Sequence, residues 1–422
     1  MVVLATSAVL LLAVGPVSAI HTGRNGRAFP RLLGNVCAVT RRDSAAGSEL
    51  SLEGGSLADL RERIDALDVQ LARLLQERAK LSRLVGLSKT DAESPIFVPH
   101  REAEVLANVQ SVPGPLPPHA LASIYREILS ASRALQRPTR VAHLGPAATF
   151  GHMAAIQRFG SAAELLPVAT HSEVFTTVEK GAADYGLVAF ENSTEGPVNE
   201  VLDRLVETPL QICAEVSLLV AHTLLSRGSE LRSIKRVLCH PQAAAQARGW
   251  LAEHLPGVAV LPATSNAKAA ELAAQDTTGT IAAIAPHLAG EVYGLNVLAE
   301  NIQDVPGNMT RFLVLAQTPS ETATGHDKSA VVFSIRDRVG ALRDLADAFA
   351  SNEVNLSSIQ SRPSKRRAWD YVFFVELEGH ISELRVRRAL RKAEEHTVFL
   401  KVLGSWPVPR SDEAIPEIVT SA

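Results

Sequence analysis

The chain has 422 residues, 46% of them apolar and 21% charged, with a formal net charge of −3. At about 100–200 residues per domain, that length predicts about three domains, and the balance is that of a folded globular protein rather than a disordered or fibrous one. The weak charge excludes a strongly electrostatic partner such as nucleic acid or an anionic membrane.

Three scattered cysteines, Cys37, Cys213 and Cys239, make neither a disulfide framework nor a zinc pattern, which fits a reducing, cytoplasmic setting. Residues 1–54 read as an extension. Val2 to Val17 is apolar and ends in a signal-like Val17-Ser18-Ala19, but no Lys or Arg precedes it. The run is also short for a membrane span, so a dispensable extension is expected rather than export.

From Leu57 onward, Leu57, Leu60, Ile64, Leu67, Leu71, Leu74, Leu81 and Val85 recur at spacings of three and four, with Arg78 in the seam. This predicts one helix of roughly 45–50 Å, with an apolar stripe too long to stand without partners. Further helices are predicted over residues 100–110 and 120–135, separated by a Pro-rich turn. Arg78 in a buried stripe needs an anion, either a structural partner (Glu77 or Glu102) or a ligand. Lys89 shares its face, and Ser132 and Gln136 share another. Cations and a neutral amide facing inward suit a small dicarboxylate. Arg61 lies about 25 Å back along the helix and about 100° around it. If Arg61 also binds the ligand it does so in a second copy's site, which would make the module an interlocked dimer.

This region resembles the all-helical chorismate mutases over about residues 55–137. The resemblance is carried by Leu60-Arg61, Asp68, Glu77-Arg78, Gly86, Lys89, Pro99-His100-Arg101-Glu102, Ser132 and Gln136. It implies that Arg78, Arg101 and a second copy's Arg61 hold the two carboxylates of chorismate. Lys89 and Gln136 would bond the ether oxygen, and Glu102 and Ser132 the ring hydroxyl and a carboxylate. Val98 stands where some relatives carry Asp, so only its backbone can take part. A unimolecular rearrangement needs only a compact substrate conformation and donors aimed at developing charge.

Beyond Arg140, short apolar runs alternate with helical stretches, which is α/β grammar. Strands are predicted at residues 141–144, 186–190, 236–239, 280–284 and 312–316. Polar clusters follow several of them: Gly145 to Phe150, Glu191 to Gly196, and His240-Pro241-Gln242 leading to Gln246. Each has a plain reading as a cap or turn, and each also sits where helix N-termini offer free N–H groups to an anion. Asn308-Met309-Thr310-Arg311-Phe312 places a hydroxyl and a guanidinium at a strand mouth. There Thr310 can assist a departing hydroxyl and Arg311 can grip a carboxylate.

In this order the motifs resemble prephenate dehydratase over about residues 140–317. The resemblance implies two α/β lobes around a cleft, like periplasmic solute-binding proteins, and loss of water and carbon dioxide from prephenate to give phenylpyruvate. The implied site is Thr149, Glu191, Asn192, Ser193, Cys239, His240, Gln242, Gln246, Thr310, Arg311 and Phe312. Thr310 is the expected proton donor or hydrogen-bond partner of the leaving hydroxyl. Ala189 replaces a common proline, and Cys239 replaces a serine with a weaker donor.

A polar linker, residues 317–328, leads to a β-α-β-β-α-β order over residues 329–406, a ferredoxin-like α+β pattern, and a tail, residues 407–422. Gly340-Ala341-Leu342 and Gln360-Ser361-Arg362-Pro363 resemble the phenylalanine-binding ACT domain. The implied ligand lies at the first helix's N-terminus, where Gly340 admits the backbone closely. Gln360 replaces the usual Glu and Arg343 an apolar residue; the plain alternative is a dimerisation domain without ligand.

As a whole, the chain is similar to the bifunctional chorismate mutase/prephenate dehydratases of phenylalanine biosynthesis. The resemblance implies chorismate and prephenate as substrates, phenylalanine as inhibitor, no metal or organic cofactor, and a cytoplasmic homodimer or larger homo-oligomer. Two other readings stay open at this point. One is a dehydratase for prephenate or arogenate whose helical module only dimerises; the other is an exported, non-enzymatic solute-binding protein.

Overall fold

A computed structural model describes residues 56–89, 96–336, 338–364 and 371–409. The extension (residues 1–54), with its signal-like run and Cys37, and tail residues 410–422 lie outside the described residues. By chain compactness the protein divides into residues 1–65 and 66–422. The described part of the first unit is the start of α1 (Leu57–Ser88), a single 32-residue helix as the 3,4 spacing predicts. None of its residues is buried, and Leu67, Leu71, Leu74, Leu81 and Leu84 are all more than half exposed.

The second unit begins with helical structure. α2 (Pro99–Gln110) and α3 (Pro118–Ala134) each carry proline in the first turn, where a missing N–H costs nothing. They pack through Leu106, Ala122 and Leu129. Just before α2, Phe97 plugs against Phe159 and Tyr185 of the next module.

The first α/β lobe contains β1 (Arg140–Leu144), α4 (Phe150–Phe159), β2 (Glu164–Val168), α5 (His171–Glu179), β3 (Tyr185–Asn192), β4 (Gly196–Pro197), α6 (Asn199–Glu207) and β5 (Gln211–Leu219). The chain then crosses to a second lobe: β6 (Thr223–Ser226), β7 (Arg236–Cys239), α7 (Pro241–Gln246), α8 (Arg248–His254), β8 (Ala259–Pro262), α9 (Asn266–Gln275), β9 (Ile281–Ala285), α10 (His287–Tyr293) and β10 (Asn296–Ala299). In this lobe the alanines of α9 lie in one core with Ala283 and Ala285 of β9, so small side chains set a close helix–sheet approach. The chain returns to the first lobe as β11 (Met309–Ala316), antiparallel between β3 and β5. The two crossings are tied together, with Val220 N–H donating to the Asn308 carbonyl at 2.7 Å and Ile302 N–H to that of His222 at 3.0 Å.

The ferredoxin-like module is β12 (Asp327–Ile335), α11 (Ala341–Ala350), β13 (Leu356–Pro363), β14 (Tyr371–Glu378), α12 (Leu384–Glu394) and β15 (Thr397–Pro407). Its strand order is β13-β14-β12-β15, and β15 continues into β5 of the first lobe. The junction is Gly404 beside Ile212. Gly404 has φ +146°, and a Cβ there would collide with the Ile212 carbonyl oxygen, so glycine is required for the sheet to run on. The module thus shares a sheet with the first lobe. Among the described residues, no helix is long and apolar enough to cross a membrane.

Candidate active sites

In the helical module, α1 reaches the end of α3 through Arg78, and Gln136 just beyond it through Gly86. Arg78 donates to the Ser132 hydroxyl, which donates to the Ile128 carbonyl at 2.6 Å. The expected carboxylate partner of Arg78, Glu77 or Glu102, is therefore replaced by a hydroxyl. A Cβ on Gly86 would stand 2.8 Å from Cγ of Gln136, so glycine lets α1 lie against that side chain. Gln136 Oε1 is buried without a hydrogen-bond partner among the described residues. Burial, then the Arg137 cation, lowers the pKa of Lys89. Arg78 and the Gln136 amide thus lie on one seam, with Lys89 near Arg137, which is itself paired with Asp184 at 3.1 Å.

Two expected residues are drawn elsewhere. Arg101 is exposed and pairs with Glu104 on its own helix at 2.9 Å. Glu102 is buried, held by Arg133 and by Arg158 at 3.4 Å. Arg133 also donates to the Phe159 carbonyl at 2.6 Å, and Arg158 lies 4.5 Å over the Phe97 ring. A buried carboxylate must be paired, and here its cations come from α3 and α4. Glu102 therefore ties the helical module to the first lobe through Arg133 and Arg158. The Val98 carbonyl accepts from Glu102 N–H at 3.1 Å and so closes the first turn of α2.

In the two-lobed module, Thr310 and Arg311 lie inside β11 rather than before it, so the pleat sends them to opposite faces. Thr310 is in register with Asn192 and Arg311 with Glu191. On the first face Asn192 Nδ2 donates to Thr310 Oγ1 at 2.9 Å and to Asn308 Oδ1 at 2.7 Å. Asn192 Oδ1 is fixed in turn by the hydroxyl of Thr194 at 2.7 Å. Ser193 Oγ accepts from Met309 N–H at 2.9 Å and donates to Asn308 Oδ1 at 3.3 Å. Thr310 accepts through its oxygen, and among the described residues no acceptor is recorded for its proton.

On the other face Arg311 meets Glu376 at 2.7 Å, Glu191 at 3.0 Å and Glu215 at 3.3 Å, with its guanidinium 4.9 Å over Phe190. Lys328 joins Glu215 at 3.1 Å, and Gln360 reaches Glu191 at 3.5 Å. Burial opposes the Arg311 charge, but Glu376, then Glu215 and Glu191, outweigh it and raise its pKa. Three carboxylates surround this arginine within the chain, and Glu191 is one of them.

Other expected residues serve the scaffold. Phe312 is buried in the first lobe's core. The Thr149 hydroxyl caps α4, accepting from His152 N–H at 3.2 Å and donating to the Leu144 carbonyl at 3.1 Å. His240 Nδ1 caps α7, accepting from Gln242 N–H at 3.3 Å, and Gln242 is exposed. Cys239 is 1% exposed in the second lobe's core, where burial pushes its thiol up to about 11. The inward face of its strand, with Val237, is part of that apolar core. Gln246 Oε1 is 2.8 Å from Nε2 of His222. The sequence reading missed His222 and Asn308; Asn308 was within reach through its place in the Asn-x-Thr-Arg-Phe motif.

In the ferredoxin-like module, Gly340 begins α11 with φ +81° and no side-chain cap. Ala341 is buried and Leu342 exposed. Gln360 to Pro363 lie on β13, separated from β12 by β14. Ser361 and Pro363 are exposed. Arg362 reaches α6, donating to the Asn199 carbonyl at 2.6 Å and pairing with Asp203 at 3.1 Å.

Three family models match the chain in order: chorismate mutase type II over residues 60–137, prephenate dehydratase over residues 141–320, and the ACT domain over residues 329–395. The chain is 45% identical over 356 residues to the bifunctional chorismate mutase/prephenate dehydratase of Aquifex aeolicus, covering 83% of this chain and 98% of that one. The enzyme of the same name from Pseudomonas aeruginosa is 41% identical over 358 residues, covering 83% and 97%. Among solved structures, the prephenate dehydratase of Arthrobacter aurescens in complex with L-Phe is 37% identical with a TM-score of 0.59, covering 65% of this chain and 91% of that one.

Proposed function

The chain belongs to the bifunctional chorismate mutase/prephenate dehydratase family with a C-terminal ACT domain, and we propose that it carries chorismate to phenylpyruvate by way of prephenate, restrained by phenylalanine. The working divisions are residues 55–137 for the mutase, 140–317 for the dehydratase and 329–406 for the sensor. The observation that carries this reading is the three modules in order, with the Thr310 oxygen held by Asn192 and its proton unspent.

In the mutase, Arg78, with Ser132 behind it, takes a carboxylate. Lys89 and Gln136 bond the ether oxygen, where negative charge grows as the bond breaks. Arg61 of a second copy supplies the remaining grip, and the open apolar stripe of α1 is the surface on which that copy packs. In the dehydratase, the C–O bond of the ring hydroxyl and the bond to the ring carboxylate break together. The carboxylate's electrons flow into the ring, carbon dioxide departs, and Thr310 donates a hydrogen bond or proton to the leaving oxygen. Asn192, Ser193 and Asn308 keep that hydroxyl aimed, and Gln246 takes a carboxylate.

Phenylalanine binds the ACT module at the α11 start and the β13 motif. Support for this comes from the Gly340 and Ser361-Arg362-Pro363 motifs and from the L-Phe held by the Arthrobacter relative. Glu376 and Gln360 meet the Arg311–Glu191 cluster, so the sensor can move the strand that carries Thr310. Purified protein fed chorismate is expected to form phenylpyruvate, and added phenylalanine to suppress it. Prephenate accumulating alone would refute the dehydratase assignment, and untouched chorismate would leave the helices a dimerisation module.

A further inference from the structure

We propose that His222 is a positioning residue for the dehydration step, holding the Gln246 carboxamide so that its NH2 group remains the donor to a substrate carboxylate. The inference rests on the prephenate dehydratase reading of the two-lobed module.

His222 lies on the first crossing between the lobes. Its backbone N–H donates to Gln303 Oε1 at 2.9 Å, and its carbonyl accepts from Ile302 N–H at 3.0 Å, both from the return crossing. It follows by three residues Leu219, which pairs with Met309 beside Thr310. The ring is 2% exposed. It meets Phe150, the first residue of α4, edge-on at 5.8 Å. Its Nε2 lies 2.8 Å from Oε1 of Gln246, at the end of α7. One side chain thus touches both lobes at the point where they join.

The hydrogen bond has one sensible direction. A carboxamide oxygen only accepts, so His222 Nε2 carries the proton. Burial lowers the imidazole's pKa, which keeps the ring neutral and leaves Nδ1 with a lone pair. With Gln246 Oε1 on the histidine, the amide nitrogen is turned away from the ring. Gln246 Nε2 and His222 Nδ1 are both buried without a partner among the described residues. Buried polar groups are as a rule hydrogen-bonded. Here a donor and an acceptor are both left over at the hinge of a two-lobed cleft. A carboxylate takes the donor, and that is the chemistry of the proposed substrate.

The test uses the full chain with prephenate, and mutase turnover as the internal check on folding. His222→Leu and Gln246→Leu are each expected to raise KM for prephenate about tenfold to a hundredfold, the size of a lost bond to a charged group, with kcat changed far less. The double variant should be no worse than Gln246→Leu, because both substitutions remove one interaction. His222→Gln, which sets an NH2 near the Nε2 position, should restore most of the affinity, and the shorter His222→Asn should not. Additive losses, an unchanged KM in His222→Leu, or equal behaviour of the Gln and Asn variants would overturn the proposal. If the leucine variants lose mutase activity as well, the Gln and Asn pair decides. A wild-type chain that fails on prephenate overturns the dehydratase reading itself, a separate result.

Discussion

Thr310 and Arg311 are neighbours with unlike roles, because a β-strand sends successive side chains to opposite faces. Thr310 has a held oxygen and an unspent proton, whereas Arg311 is enclosed by three carboxylates. Thr310→Val, which keeps the β-branched shape, should lower dehydratase kcat by about a hundredfold or more, the usual scale of a lost proton donor. Mutase turnover on the same chain should be unchanged, and equal loss of both would remove Thr310 from the chemistry. Cys239 makes the contrasting case. Its thiol is enclosed by the second lobe's core and pushed up to about 11, and Cys213 is pushed up to about 12. The thiolate is the reactive form, so native protein treated with iodoacetamide near neutral pH should keep both thiols unmodified by peptide mass mapping. Restoring the family's serine with Cys239→Ser should leave prephenate KM unchanged and cost about 1–3 kcal/mol of stability, since the core offers the hydroxyl no evident partner.

Elements that carry their own period were legible in the sequence, and those stabilised from a distance were not. α1 and the β-α-β-β-α-β order of the last module follow from local spacing. β5 did not, because Glu215 interrupts its apolar run and is explained only by Arg311 and Lys328, 96 and 113 residues away. Likewise the pairing of Glu102 with cations of α3 and α4 has no signal in its local sequence. Motif order located Thr310 and Asn192, whereas His222, a lone histidine in an apolar run, carried no local signal. The seam between α1 and α3 supports two predictions at this scale. Gly86→Val would force its side chain into Gln136, 2.8 Å from the Cβ position. Mutase kcat/KM should fall about tenfold or more, with prephenate turnover kept; an unchanged mutase would place Gln136 outside its site. The exposed stripe of α1 and the proposed sharing of Arg61 predict complementation. Arg61→Ala and Arg78→Ala should each lack mutase activity, and subunit exchange between them should restore part of it, because one site of the hybrid keeps both arginines. No recovery after exchange, verified by native mass spectrometry, would mean that each site is built from a single chain.

For the whole molecule, the shared sheet changes what regulation has to accomplish. β15 runs into β5, β5 pairs with β11, and β11 carries Thr310. The ACT module and the strand proposed to carry the dehydration chemistry therefore belong to one sheet, and β14 adds a second connection through Glu376 on Arg311. A ligand shifts such an equilibrium only by its differential affinity for two arrangements. The ion cluster is a suitable element because its bonds reach both modules. Glu376→Gln keeps the shape and removes one charge, while Glu215 and Glu191 still neutralise the guanidinium. The expected result is a dehydratase whose uninhibited rate is nearly unchanged and whose half-inhibitory phenylalanine concentration rises about fivefold or more, the lower range of ordinary coupling energies. Linkage requires the reverse effect as well. In the wild-type chain saturating substrate should weaken phenylalanine binding by the same factor by which phenylalanine weakens substrate binding, and in Glu376→Gln both factors should shrink together. Calorimetric titration of phenylalanine, with and without a prephenate analogue, measures this directly. Full inhibition with unaltered coupling in the variant would route the signal through the β15–β5 junction instead.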